Sequence, residues 1–329
     1  MNKTAMTKTT NRRHALHNAN KLIAAVLAAV FSTFVCAAAQ AQTSFRTFVS
    51  GTGSDTGACG VAAPCRSFAY ALGETSAGGE IVVLSSAGYG PVTINQAVTI
   101  TNPGGVEAGI TGPSGGNAIT ITATSGAVTL RGLTLAGGGS ATNGIVLSSS
   151  LPAANAVELT VNILGCVIKD FTGDGILLEP TYPGGATPSV NAVIADCTIT
   201  GNGTGIATNS GVNISLSSSI YRTIVSSNGT GMNLSTAGAG YLGASLMSSH
   251  VDNNTSHGIE IASNANLTMK HSSANSTVYG TDITNSNASL TLYDRNTIGS
   301  LSNSNIGYTD GTNNISNFNG TALTKNNLM

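Results

Sequence analysis

The sequence contains no tryptophan, and aromatic residues make up only 5% of it. Bulky aromatic anchors therefore cannot dominate its core or its surface. Charged residues are scarce too, at 8%. Long apolar runs are missing with one exception, Leu22 to Val35, which is too short to cross a bilayer comfortably. No later segment is apolar for long enough, so no transmembrane segment is expected beyond that run. Basic clusters are missing once the first 41 residues are set aside. Lys3, Lys8, Arg12, Arg13 and Lys21 precede Gln42, whereas all 14 acids follow it. The remainder keeps 8 of the 13 Lys and Arg against 14 acids, a net charge of −6. No basic surface is left to hold nucleic acid or an anionic membrane, so nucleic acid is not an expected partner.

The segment before Gln42 reads as an export signal. A basic, acid-free stretch leads into the apolar run, and Ala39-Gln40-Ala41 forms an A-x-A cleavage site. Arg12-Arg13 hints at a twin-arginine signal, but the residues usual around such a pair are missing, which favours general secretion. Cys36 does not follow a lipoprotein-type sequence, so no lipid anchor is expected. The expected division is a signal peptide at 1–41 and one elongated domain at 42–329. The protein is expected to be periplasmic, at the cell surface or extracellular.

What is present is a repeat. Gly144-Ile145, Gly175-Ile176, Gly205-Ile206, Gly231-Met232 and Gly258-Ile259 recur at spacings of 31, 30, 26 and 27. Ala118-Ile119 fits one step upstream, and Asp282-Ile283 and Asn305-Ile306 continue the rhythm. Periods of about 20–50 residues imply a solenoid or array. Inside each repeat, β-branched residues and leucine alternate with small polar ones, as in "AITITATSGAVTLRGLTL". Gly, Asn, Ser and Thr clusters separate these stretches and mark turns. The fold class is therefore all-β, a parallel β-helix with coils of about three short strands.

Alignment of the repeats predicts its inner rows. Ile168, Ile199, Val225 and Val251 fall at one position, and Cys166, Cys197, Thr223 and Ser249 two residues earlier. Alternation places both rows inward. Asn202, Asn228 and Asn254 form an asparagine ladder in a turn, broken at Phe171.

From Gln42 onward the chain resembles the pectin-lyase-like right-handed parallel β-helix superfamily. The opening "FVSGTGSDTGACGVAAPCRSFAYALGETSAGGEIVVLSSAGYGPVTI" looks like that superfamily's N-terminal cap and first coil. "YTDGTNNISNFNG" resembles a recurrent close of its bacterial members. The resemblance implies a cap at 42–80, coils at 81–300 and a C-terminal cap or tail at 301–329. It implies no single chemistry, because this fold carries lyases, hydrolases, epimerases, adhesins and phage tail parts.

A solenoid needs covered ends. Pro64 to Leu72 reads as a short helix whose Phe68 and Leu72 share a face over the first coil. Cys59 and Cys65, six apart in an exported chain, are expected to form a disulfide. So small a loop contributes about 2 kcal/mol at most. Cys166 and Cys197 are equivalent in adjacent coils, and two alternatives stand for them: a disulfide or a stacked pair of thiols.

The catalytic signatures of the superfamily's enzymes are not found. The Asn-Thr-Asp tripeptide, paired Asp-Asp, Gly-His-Gly and Arg-Ile-Lys of polygalacturonase-like members are absent. His257-Gly258 is half of the third, with Ser256 in place of its first glycine. The Asp-His and Arg-Pro motifs of pectate-lyase-like members and the Asp-Pro-His of epimerases are absent too. The charged cluster in "CVIKDFTGDGI" leaves Lys169, Asp170 and Asp174 as candidate catalytic residues, with Asp196 one coil on. Acid/base cleavage of a sugar wants two carboxyls about 5–10 Å apart on one groove. No acid row stacks through three aligned coils. Asp196 aligns with Arg222 and is expected to form a surface ion pair. His250, His257 and His271 are scattered, which leaves no zinc set. Tyr182, in the long loop "LEPTYPGGATPS", reads as an exposed ring available for sugar stacking.

The leading expectation is a non-catalytic exported β-helix that binds glycan or an envelope surface along an uncharged Ser/Thr/Asn face, without a cofactor. The alternatives are a divergent polysaccharide lyase or glycoside hydrolase acting on an acidic polysaccharide, with calcium only in the lyase case, and a structural surface or assembly protein.

Overall fold

The structure, a computed structural model, describes residues 43–325 apart from 153–157, 185–186, 212, 238–239, 263, 276–282, 286–288, 294, 303–305, 309–313 and 320–322. The expected signal peptide lies outside the described residues. Thr43 to Met329 forms one compact unit.

Alternating apolar and small polar residues fold into short strands that pair in parallel, coil on coil. One column, face 1, is a 12-stranded sheet that includes Ser44–Val49, Thr75–Val83, Glu158–Leu164, Ser189–Ala195, Ser215–Tyr221, Tyr241–Met247 and Ala265–Lys270. The other 18 strands resolve by their pairings into two columns. Face 2 includes Val167–Lys169, Thr198–Thr200, Ile224–Ser226 and His250–Asp252. Face 3 includes Asn143–Leu147, Asp174–Leu178, Thr204–Ser210, Thr230–Thr236 and His257–Ile261. Each coil passes through faces 1, 2 and 3 in turn, so the protein is an all-β parallel β-helix.

Register puts like on like. Ile119, Ile145, Ile176, Ile206, Met232 and Ile259 stack on face 3, and all are buried. On face 1, Leu130, Ile163, Ile194, Ile220, Leu246 and Met269 do the same. Burying each such side chain contributes about 1.5–3 kcal/mol. The Gly-Ile rhythm fails at its last step: Ile306 pairs with Leu290 on face 1, while Leu301 continues below Ile283. The spacing still fits there because the later coils are shorter, so a constant step drifts onto another face.

The glycine of the Gly-Ile pair has a steric reason. A Cβ on Gly175 would lie 2.7 Å from Gly205 O, 2.8 Å from Ile199 Cγ2 and 3.0 Å from Asn202 Nδ2. The chain turns onto face 3 against the packed interior of the next coil, and only hydrogen fits.

Two polar ladders run along the corners. Between faces 2 and 3, Asn202 N–H donates to Asn228 Oδ1, and Asn228 N–H to Asn254 Oδ1, both at 3.0 Å. The ladder ends where Phe171 N–H donates to Asn202 Oδ1 and its ring packs beneath Gly112, Gly137 and Gly144. The second ladder, between faces 1 and 2, is made by the inward row Cys166, Cys197, Thr223, Ser249 and Ser272. Each hydroxyl or thiol donates to the carbonyl two residues back, and the Thr223, Ser249 and Ser272 hydroxyls also accept a backbone N–H from the preceding coil. Just before each member the backbone is left-handed, at Gly165, Asp196, Arg222, Ser248 and His271. One left-handed residue per coil is the whole turn.

The N-terminal end is covered by a helix at Phe68–Glu74, which starts four residues later than the sequence suggests. Pro64 to Arg66 stay extended because Cys65 bridges to Val49, and Asp55 accepts the Arg66 and Ser67 N–H groups. Ser67 then caps the helix by accepting from Tyr70 N–H. Phe68 and Leu72 are both buried, with the Phe68 ring 5.0 Å from that of Tyr89. Cys59 and Cys65 form a disulfide.

Candidate functional site

The outward sides of the three faces carry whatever chemistry the protein has, because the interior is packed. Lys169 points outward from face 2, between Ala136 and Thr200 in register. Asp170 follows it at the corner to face 3, in a left-handed conformation, φ 62°. Its carboxylate lies over Gly201, where a Cβ would come within 2.7 Å of Asp170 Oδ1. Asp174 opens the face 3 strand, half-buried. Its backbone N–H donates to Asn143 Oδ1 at 2.8 Å. Asp196 stands at the other corner, between faces 1 and 2, with the whole face 2 strand separating it from the corner that bears Asp170. The candidate acids are thus not gathered into one groove.

Asp196 is bound by Arg222 through two hydrogen bonds, at 2.7 and 2.8 Å. That guanidinium holds its carboxyl below the usual range. Burial pushes the Asp174 carboxyl up, opposed by a hydrogen bond from Thr204. Glu179, at the end of the same strand, is pushed up by burial and then by the Asp174 charge.

The histidines do not build a relay. Ser273 Oγ lies between Asp252 Oδ2, at 2.7 Å, and His250 Nδ1, at 2.8 Å. A nucleophile-activating triad needs the imidazole in the middle, not the hydroxyl. His257 Nδ1 is 3.0 Å from Ser256 Oγ, and His271 Nε2 is 3.3 Å from Arg295 Nη2. Among the described residues, no three His, Cys, Asp or Glu converge on a possible metal position.

Tyr182 is buried rather than exposed, at 9% accessibility. Thr181 bridges to Ser150, so alternation turns the next ring inward beneath the surface. An exposed ring lies elsewhere. Tyr241 on face 1 is 53% accessible, and its ring lies over Gly243, whose Cβ position would be 3.5 Å from Tyr241 Cε1. The signal for this was in the sequence: in a strand, residues two apart share a face, and glycine leaves bare backbone for the ring to cover.

Around Tyr241, face 1 presents an outward grid in register. Asn191, Ser217, Gly243 and Asn266 align in one column, and Val193, Ser219, Ser245 and Thr268 in the next. Coils repeat about every 4.8 Å. No charged residue stands in these two columns, which offer Ser and Thr hydroxyls and Asn amides beside the apolar Val193; at their edge Asn191 Nδ2 donates to Glu158 Oε1 at 3.2 Å. Cys166 and Cys197 are free, buried thiols beneath its edge. A hydrogen bond between the sulfurs, and then burial, push the Cys166 thiol up.

Comparison with known proteins agrees with this architecture. The family described as the right-handed β-helix region matches residues 117–298. The chain belongs to that family. Among solved structures, the pectate lyase Pel9A is similar with a TM-score of 0.50 at 15% identity, covering 83% of this chain and 80% of the lyase. A periplasmic alginate epimerase variant is similar with a TM-score of 0.33 at 15% identity, covering 75% of this chain and 77% of the epimerase. No curated protein matches by sequence. Among the described residues, no helix is long and apolar enough to cross a membrane.

Proposed function

We propose that the protein is exported by a signal peptide at 1–41 and acts as a non-catalytic β-helix that binds glycan through the outer side of face 1, at the cell envelope or beyond it. The observation that carries this reading is the uncharged grid with the Tyr241 ring lying beside it. Sugars present hydroxyls around an apolar ring face, and an array of Ser, Thr and Asn with an aromatic platform matches both. A rigid, ladder-stabilised sheet also loses little conformational freedom on binding. A pectate lyase shares this fold, which is compatible with a polysaccharide ligand. Binding of this kind needs no cofactor.

The test is incubation of the purified protein with pectate, alginate and neutral glycans, with and without calcium. Binding without turnover is expected. It should weaken in Tyr241→Ala and persist in Asp170→Ala and Asp174→Ala. New reducing ends or unsaturated uronate product would overturn the non-catalytic reading in favour of a lyase or hydrolase. Absence of any glycan binding would favour a structural surface role.

A further inference from the structure

Across three coils, Ser189–Ala195, Ser215–Tyr221 and Tyr241–Met247, face 1 carries a polar strip between two apolar margins. The strip is formed by the column of Asn191, Ser217 and Gly243 and the column of Val193, Ser219 and Ser245. These columns are two residues apart along each strand, a width of about 7 Å. Tyr241 stands at one margin, and the outward column of Ala195, Tyr221 and Met247 forms the other. Among the described residues, no partner takes up the Ser217, Ser219 and Ser245 hydroxyls, so each can donate and accept outward.

No charged residue stands in the strip or its margins over these coils. The segments leading into the three strands, 180–188, 211–214 and 237–240, carry no charge either. The charge that reaches the strip is negative, the Glu158 carboxylate that accepts from Asn191 Nδ2. At the corner beyond Ala195 and Tyr221, Asp196 and Arg222 neutralise each other. Arg131 and Lys270 share the outward column of Ala195, but stand two coils before Ala195 and one coil after Met247.

We propose that the ligand of this face is an uncharged, extended polysaccharide that lies along the solenoid axis, one sugar to a coil. This rests on the glycan-binding reading above and narrows it to one class of glycan. A uronate polymer would bring a carboxylate to nearly every coil, with no cation in the strip to replace the water it loses. It would also approach a chain whose net charge after residue 41 is −6. A neutral sugar needs only hydroxyl and amide partners, with apolar surface for its C–H face, and the strip and its margins supply both. The direction follows from the spacing. Hydroxyls recur along the axis about every 4.8 Å, close to the advance of an extended pyranose, whereas across the strands the polar width admits a single chain.

The experiment is isothermal titration calorimetry of the purified protein with cellohexaose, xylohexaose, mannohexaose and hexagalacturonate, at low and high salt. A neutral hexamer should bind at least about 10-fold more tightly than hexagalacturonate, with an affinity that salt does not change. Ser219→Ala and Ser245→Ala should each weaken that binding about 5-fold, the loss of one hydrogen bond. Ser219→Lys should move the preference toward hexagalacturonate by placing a cation in the strip. Lys270→Ala should leave neutral binding unchanged. Hexagalacturonate bound as tightly as every neutral hexamer, or binding that disappears in Lys270→Ala, would overturn this inference and leave glycan binding standing. No binding of any probe would instead remove the glycan reading on which it rests.

Discussion

Asn228 Oδ1 accepts two hydrogen bonds from Asn202, one from its backbone N–H and one from its side-chain amide, each at 3.0 Å. Asn228 in turn donates to Asn254 Oδ1 and to Ile199 O. Every polar atom in this corner is thus paid for by a neighbour one coil away. Asn228→Ala would leave the Asn202 N–H buried and unpaired and would remove the side-chain donor to the Ile199 carbonyl and to Asn254 Oδ1, at a cost of about 3 kcal/mol. Urea unfolding of the variant should show this loss. A loss below 1 kcal/mol, on the ~1 kcal/mol scale of a single ordinary hydrogen bond, would mean that the ladder does not act as a unit.

Gly205→Ala should be as damaging, for a steric reason. Its Cβ would meet Gly231 O at 2.6 Å and Asn228 Nδ2 at 3.0 Å. Overpacking of this kind costs about 1–3 kcal/mol. Gly243→Ala is the control, because its Cβ would meet only the exposed Tyr241 ring. Thermal melting should separate the two, with Gly243→Ala close to wild type. Equal destabilisation by both would remove the explanation for the Gly-Ile repeat.

Cys166 and Cys197 act as hydrogen-bond donors in a row otherwise built from hydroxyls. Cys197→Ser should therefore change stability by less than about 1 kcal/mol, while Thr223→Val should cost about 2 kcal/mol by orphaning the Cys197 N–H and removing one of the two donors to the Tyr221 carbonyl. Both thiols should alkylate only after denaturation. A peptide map showing them disulfide-linked would contradict this prediction.

Asp174 gives a pH signature. Its folded-state pKa is raised by burial, so the unfolded chain ionises first as pH increases. Stability from this group is greatest below the ordinary value of 3.8, falls as pH rises through it, and is fully lost above the raised folded value. Glu179 shifts the same way from 4.5. Asp174→Asn should raise the melting temperature at neutral pH and flatten its dependence on pH in the acid range. The preceding coil already carries Asn143 at this register, so the substitution fits. An unchanged pH profile would show that Asp174 is not desolvated.

Much of the fold was legible because its rules are local. Alternation at Ile168, Ile199 and Val225, the Gly-Ile step and the asparagine row depend on neighbours within a coil and repeat from coil to coil. The alignment that paired Asp196 with Arg222 used nothing else. Less of the candidate site was legible. Tyr182 looked exposed because it sits in a Pro- and Gly-rich loop, but the side that its ring faces depends on Thr181 bridging to Ser150 in the previous coil. The helix start moved because Asp55, distant in sequence, holds Arg66 and Ser67.

By itself the sequence determined the coil: its strand period, its inward rows, its Cys59–Cys65 staple and the scarcity of charge that rules out a basic binding surface. Only the tertiary structure decided which outward residues become neighbours. Tyr221 joins Leu164, Ala195 and Met247 in one column, and Tyr241 lies over Gly243 beside an uncharged grid. The physical reason is that coil lengths vary. Inward positions are held in line by burial, which spans coils of any length, whereas outward contacts depend on how many residues each turn and loop takes up between them.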